Sequence, residues 1–242
     1  MSEDLDLAAQ VHYSFLPEDY EDDRISIAVS LRPLFPIGGD YCSVLLLDDR
    51  RLLVCMCDAV GHGTAAALFA SRINTYVLTH APLHPSVCNL TEGLNAYLCQ
   101  RLGETGIYTS FYATLLDLEA GCMSFIGAAH PPLLQYDKEQ GICRQWPSAA
   151  TFLGIMDPMP LDCCDNTIFL RPGDRFLLYT DGLIEVEGAE QELFGTERLA
   201  SVLTDHHHLS GQKLNGAVID QTADFAADGF NDDVLLLSMT LK

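Results

Sequence analysis

The 242-residue sequence predicts an α+β fold, read as one domain with a mainly antiparallel sheet system and helices outside it. Three observations predict it. Short apolar strands recur in pairs around turn residues, the pattern of successive hairpins. Two helical segments follow the third strand and two more precede the last. Finally, 48% of the residues are hydrophobic and 19% charged, enough apolar material to bury a core.

The elements follow in order. Residues 3–16 are predicted as a short amphipathic helix, with Leu5, Ala8, Val11 and Phe15 on one face, Glu3 and Asp4 in the first turn, and Pro17 as its stop. The acidic run Glu18, Asp19, Glu21, Asp22 and Asp23 reads as a solvated loop. Ile25, Ile27, Val29 and Leu31 alternate with Ser26, Ala28, Ser30 and Arg32, which predicts a half-buried strand ended by Pro33 and Pro36. Segments 41–47 and 52–57 flank Asp48, Asp49 and Arg50 as a hairpin. The Ala-rich stretch 64–79 predicts a helix, and 86–102 another, interrupted at Gly93. Strand pairs 110–117 and 122–128, 133–136 and 142–146, and 167–170 and 175–179 flank the turns "EAG", "KEQG" and "RPGD". Helices at 195–207 and 213–227 and an apolar strand at 234–241 close the chain.

Charge excludes some functions. Against 13 Lys and Arg stand 34 Asp and Glu, a formal net charge of −21, so no basic footprint exists for nucleic acid or an anionic membrane surface. No apolar stretch approaches the roughly 18 residues of a membrane span, which argues against membrane insertion. The acidic start "MSEDLDLAAQ" is unlike a secretory signal. Nine cysteines without a CxxC pair are expected to be reduced small hydrophobes in a cytoplasmic protein, not zinc ligands.

Four aspartates share one placement. Asp40 follows Gly38-Gly39 before a strand, Asp58 closes one, Asp181 follows one in "YTDG", and Asp232 precedes the last in "GFNDDV". Each stands where an apolar strand meets a Gly-bearing loop, and glycine lets backbone approach a ligand without a Cβ clash. Taken singly, each is ordinary turn chemistry. The stretch "CDAVGHGTAAA" adds a carboxylate, Gly-His-Gly and a helix N-terminus, which suits an anion such as phosphate. Crowded carboxylates need a cation, and oxygen donors point to Mg²⁺ or Mn²⁺.

The motifs "IGGDY" at 37–41, "DAVGHG" at 58–63, "AAHPPLL" at 128–134, "RPGDRFLLYTDGLIE" at 171–185 and "NDDVLLL" at 231–237 occur in this order. With them the chain resembles, nearly end to end, the bacterial SpoIIE/RsbU branch of the PPM (PP2C-like) metal-dependent serine/threonine phosphatases. The resemblance implies a four-layer α-β-β-α sandwich with two mainly antiparallel sheets flanked by helices. It implies a single phosphatase domain over 1–242, with a candidate regulatory helix at 1–17 and a catalytic core at 24–242. Relatives usually carry a sensory or receiver domain upstream, so the chain is read as either an excised catalytic domain or a stand-alone phosphatase.

By the same resemblance, two ions, Mn²⁺ or Mg²⁺, are bridged by Asp58, and the backbone carbonyl of Ala59 helps to hold one of them. Asp181 and Asp232 complete the second ion's ligands, Asp40 acts on the first directly or through water, and Asp233 supports Asp232, the doublet leaving the direct ligand open by one residue. Asp58 and Asp181 are thereby catalytic. His62 either donates a proton to the leaving oxygen or only shapes the Gly-His-Gly loop. His130 is expected to be mainly structural, and His206, His207 and His208 to form a solvated helix terminus. Ser43 stands where many members carry a second acidic residue, which bears on the first ion's affinity. No arginine sits in an obvious phosphate-clamping motif, and Arg32 is a candidate only by its position one strand before Asp40.

The expected activity is hydrolysis of phosphoserine or phosphothreonine on a protein, a STAS-type regulator of a partner-switching pathway. Alternatives are a non-catalytic partner-binding module, motivated by Ser43, and a small-molecule phosphomonoesterase. A homodimer through the N-terminal helix is a further expectation.

Overall fold

The computed structural model describes residues 2–61, 63–84, 86–160 and 166–242. The strands are β1 (Tyr20–Glu21), β2 (Ile25–Arg32), β3 (Tyr41–Leu46), β4 (Arg51–Ala59), β5 (Thr109–Asp117), β6 (Cys122–Ala128), β7 (Leu133–Asp137), β8 (Ile142–Trp146), β9 (Thr167–Phe169), β10 (Arg175–Tyr179) and β11 (Val234–Leu241). The helices are α1 (Ser2–Tyr13), α2 (Thr64–His80), α3 (Val87–Leu102), α4 (Gly195–Asp205) and α5 (Gly211–Phe225). They fall into two compact units.

The first unit comprises Met1–Pro17, Phe35–His130 and Ser148–Phe169. Its antiparallel sheet has the order β3-β4-β5-β6-β9. β4 lies inside this sheet between β3 and β5, and its run Leu52–Cys57 is apolar on both faces and buried throughout. Phe69, Ala70, Ile73 and Val77 of α2 and Leu90, Leu94 and Leu98 of α3 pack with Leu53, Cys55, Phe111 and Ile126 of the sheet. Ser86 caps α3, its Oγ accepting the Asn89 amide at 3.2 Å. Gly93 does not interrupt this helix. A Cβ there would collide with the Tyr76 hydroxyl, so glycine marks a close approach and not a break.

The second unit comprises Glu18–Leu34, Pro131–Pro147 and Leu170–Lys242. Its antiparallel sheet has the order β1-β2-β11-β10-β7-β8. Every residue of β11 is buried, which suits its apolar run Val234–Leu237. Leu199 and Leu203 of α4 and Leu214 and Val218 of α5 pack with Leu177, Tyr179 and Leu236. Asn215 ties α5 to β2, its Nδ2 donating to the Ala28 carbonyl and to Ser30 Oγ.

Three expectations need correction. "RPGD" does not join a hairpin: β9 pairs with β6 in the first sheet, while β10 pairs with β11 and β7 in the second. Local turn chemistry foretells a turn but not a strand's partner, which long-range burial of Phe176, Leu177 and Leu178 decides. The acidic run is not all loop, since Tyr20 and Glu21 pair with Ile27 and Ser26. Asp22 there accepts the Arg24 and Ile25 amides and ion-pairs Arg24 at 2.7 Å. The nine cysteines are not uniformly reduced, because Cys88 is disulfide-bonded. Cys42, Cys55 and Cys57 are free and buried, and burial pushes the Cys55 thiol up to about 12. Among the described residues, no helix is long and apolar enough to cross a membrane.

Asp174, fully buried after the "RPG" turn, accepts from Gln135 Nε2 at 3.1 Å and the Lys138 amide at 3.0 Å. Asp174→Ala strands both donors and is expected to cost about 2–4 kcal/mol in urea unfolding. Burial first holds this carboxyl above its ordinary value, with the Asp137 charge adding to it. The folded state therefore keeps this proton longer than the unfolded chain does, and wild-type stability falls as pH rises through the raised value. The Asp174→Ala penalty should be largest below the ordinary carboxylate range and narrow above it.

Candidate active site

In the first unit, β4 runs two residues past its expected end, so Asp58 and Ala59 lie on the strand opposite Ser110 and Thr109. Thr109 Oγ1 donates to the Asp58 carbonyl at 2.8 Å. The Gly38-Gly39 loop lies against this strand end. The Ala59 amide donates to the Gly39 carbonyl at 3.4 Å, and a Cβ on Gly39 would stand 2.6 Å from the Ala59 oxygen. Glycine is thus required by a backbone contact at a carbonyl predicted to bind metal. Asp40 follows it, buried at 6% exposure. Ser43 is buried on β3 opposite Cys55.

Past Ala59 the chain turns through Gly61 and Gly63, at φ +92° and +77°, values that favour glycine. His62 between them lies outside the described residues. Gly63 starts α2, which has neither a capping side chain nor an acidic residue in its first turn. Its N-terminal amides therefore offer partial positive charge to an anion.

In the second unit, Thr180 Oγ1 accepts the Leu235 amide at 3.0 Å, tying the end of β10 to β11. Asp181 opens a single 3₁₀ turn, and the Ile184 and Glu185 amides both donate to its carbonyl at 2.8 Å. Burial, then the charges of Glu185 and Asp232, raise the Asp181 carboxyl above its ordinary value. The Asp233 amide donates to Asp232 Oδ1 at 2.7 Å, and Asp233 Oδ1 accepts the Leu34 amide at 2.6 Å. One carboxylate oxygen of Asp233 is thus engaged by backbone, while Asp232 is exposed. Glu185 is the acidic neighbour that sequence reasoning missed. Its spacing of four from Asp181 within "YTDGLIE" is the signal that places both on one side of a helical turn.

Among the described residues, no three or more His, Cys, Asp or Glu side chains form a ready-made metal cage. Among the described residues the candidate donors named above are oxygens, and one, the Ala59 carbonyl, belongs to the backbone. Like-charge crowding at Asp181 is what a cation relieves. This donor set fits a hard ion, Mg²⁺ or Mn²⁺, better than zinc.

The remaining predicted residues fall elsewhere. His130 is buried, with Nδ1 2.8 Å from Ser110 Oγ. His206 Nδ1 and His207 Nδ1 meet the Val202 and Thr204 carbonyls at the C-terminus of α4, a capping arrangement. Arg32 is exposed at the end of β2, its guanidinium 5.8 Å over the Phe230 ring.

The family described as Stage II sporulation protein E (SpoIIE) matches residues 48–242. Protein IcfG of Synechocystis sp. is 24% identical over 228 residues, covering 83% of this chain and 36% of its own length. Phosphoserine phosphatase RsbP of Bacillus subtilis is 21% identical over 185 residues, covering 75% of this chain and 45% of its own. The chain thus spans less than half of either curated relative. Among solved structures, the SiaA-PP2C domain of Pseudomonas aeruginosa superimposes with a TM-score of 0.84 at 20% identity, covering 100% of this chain and 97% of that one. This likeness shows the fold: α+β, two antiparallel sheets with helices.

Proposed function

The chain belongs to the SpoIIE family of PP2C-type serine/threonine phosphatases, and on that premise we propose that it hydrolyses phosphoserine and phosphothreonine on a protein. The observation that carries the reading is the pairing of oxygen donors with anion-ready backbone: Asp58 and the Ala59 carbonyl stand directly before the glycines that start α2. The chain acts as one phosphatase domain. Asp58, the Ala59 carbonyl and Asp40 would hold divalent metal, as would Asp181 and Asp232, with Asp58 the ligand that two ions would share. Asp233 positions Asp232 through the 2.7 Å amide contact.

When bound, Mn²⁺ or Mg²⁺ supplies Lewis acidity at the phosphoryl oxygens and lowers the pKa of water for attack. The chain's own groups do the rest. The α2 N-terminus attracts the phosphoryl anion, Arg32 is the side chain available to contact it, and His62 protonates the leaving serine or threonine oxygen. The substrate is a STAS-type regulator of a partner-switching pathway. At a net charge of −21, an acidic phosphoprotein needs an apolar docking contact. Exposed Leu7 and Val11 of α1 offer one, to such a partner or to a second copy of the chain.

Phosphate release from p-nitrophenyl phosphate and from a phosphoserine protein, each with Mn²⁺ and with EDTA, tests the reading. Mn²⁺-dependent release from both, faster from the protein, is expected. Release from neither would leave a non-catalytic module, and preference for the small ester would overturn the protein substrate.

A further inference from the structure

A buried relay in the first unit reaches the backbone of Asp58. Ser110 Oγ accepts the Asp58 amide at 3.3 Å and shares a 2.8 Å hydrogen bond with His130 Nδ1. A serine hydroxyl has one proton and two lone pairs, so it can take the amide while giving its proton to Nδ1 or accepting Nδ1–H. His130 is itself bracketed. Its amide donates to Ser148 Oγ at 3.0 Å, and that hydroxyl donates back to the His130 carbonyl at 2.7 Å.

Several features of this corner fix the position of His130. Ala129, immediately before His130, has φ +49°, a conformation that residues with a Cβ rarely adopt. Gly127 must lack a side chain, because a Cβ there would collide with Ser148 Oγ and stand 2.7 Å from the Tyr112 ring. The polar imidazole is 4% exposed. A histidine that only filled space would need neither the left-handed residue nor the serine bracket. Strain held by surrounding structure points to a position being fixed for a purpose.

We propose that His130 and Ser110 are positioning residues that hold the Asp58–Ala59 backbone, and so aim the Asp58 carboxylate and the Ala59 carbonyl at their ion. The proposal rests on the metal roles of Asp58 and Ala59 given above. Outer partners of this sort commonly change metal affinity by about 10–100-fold when removed. Asn at position 130 can place an amide where Nδ1 stands, whereas Leu cannot.

The test uses the full chain with Ser110→Ala, His130→Leu, His130→Asn and the Ser110→Ala/His130→Leu double variant. Mn²⁺ affinity is measured by calorimetry, and exchange of the Asp58 and Ala59 amides by NMR on metal-free protein. In Ser110→Ala and His130→Leu, Mn²⁺ affinity should fall about tenfold or more, and both amides should exchange faster while mid-β5 amides stay protected. His130→Asn should stay within about threefold of wild type, and the double variant should be no worse than the poorer single, as for groups acting in series. Unchanged Mn²⁺ affinity and exchange in Ser110→Ala, which removes a single oxygen and should keep the fold, would overturn the relay. So would additive single effects, or His130→Asn as impaired as His130→Leu. If wild-type protein takes up no Mn²⁺, the metal reading fails, and the relay is decided by the exchange of the two amides alone.

Discussion

Asp58→Asn is expected to remove essentially all Mn²⁺-dependent phosphate release while leaving the fold intact. Asn keeps the shape of the side chain and removes the charge that Asp58 would supply in its proposed role as a ligand shared by two cations. Losing it should lower kcat/KM by about 10³-fold or more, which corresponds to about 4 kcal/mol of transition-state stabilisation. The backbone does not depend on that charge: residue 58 stays paired with Ser110 on β5, and its carbonyl still accepts from Thr109. The melting temperature should therefore stay near that of wild type. Turnover of p-nitrophenyl phosphate at saturating Mn²⁺, set beside a thermal melt, checks both halves. Activity within about tenfold of wild type would remove Asp58 from the bridging position.

Asp40, Asp58, Asp181 and Asp232 stand out in the sequence because each interrupts an apolar strand pattern beside glycine. β5, β6 and β11 are equally legible, since their apolar runs are long and end at marked turns. What the sequence hides are pairings set by distance. β9 and β10 look like two arms of one turn, yet burial of Phe176 and Leu178 draws β10 between β7 and β11. Gly93 looks like a helix break until Tyr76 is found crossing it. Tyr20 and Glu21 form a strand only because the edge of β2 is there to pair with. Likewise the Ser110–His130 bond joins residues 20 apart in sequence, and neither side chain signals it alone.

Gly182→Ala should produce the opposite signature from Asp58→Asn, harming stability and activity together. Gly182 is buried in the turn that begins with Asp181, and its backbone is not in the left-handed region, so Ala meets no conformational penalty. The whole effect comes from contact. An added methyl would run into the Asp233 carbonyl oxygen, 3.1 Å from its carbon and 3.3 Å from the Asp232 Cβ. None of these atoms lies at the end of a flexible side chain. The corner is also pinned, by the Asp233 amide on Asp232, the Leu34 amide on Asp233 and the Leu235 amide on Thr180. Yielding therefore means breaking one of these bonds or moving β11 away from the 3₁₀ turn, at an expected cost of about 1–3 kcal/mol in urea unfolding. Either response moves Asp181 and Asp232 apart, and a displacement near 1 Å commonly costs about 10²-fold in rate. Assayed where the variant is fully folded, kcat should fall by that order. A Gly182→Ala protein with wild-type stability and turnover would show that the 3₁₀ turn and the start of β11 are not held in register, and Asp181 and Asp232 would lose their claim to a common ion.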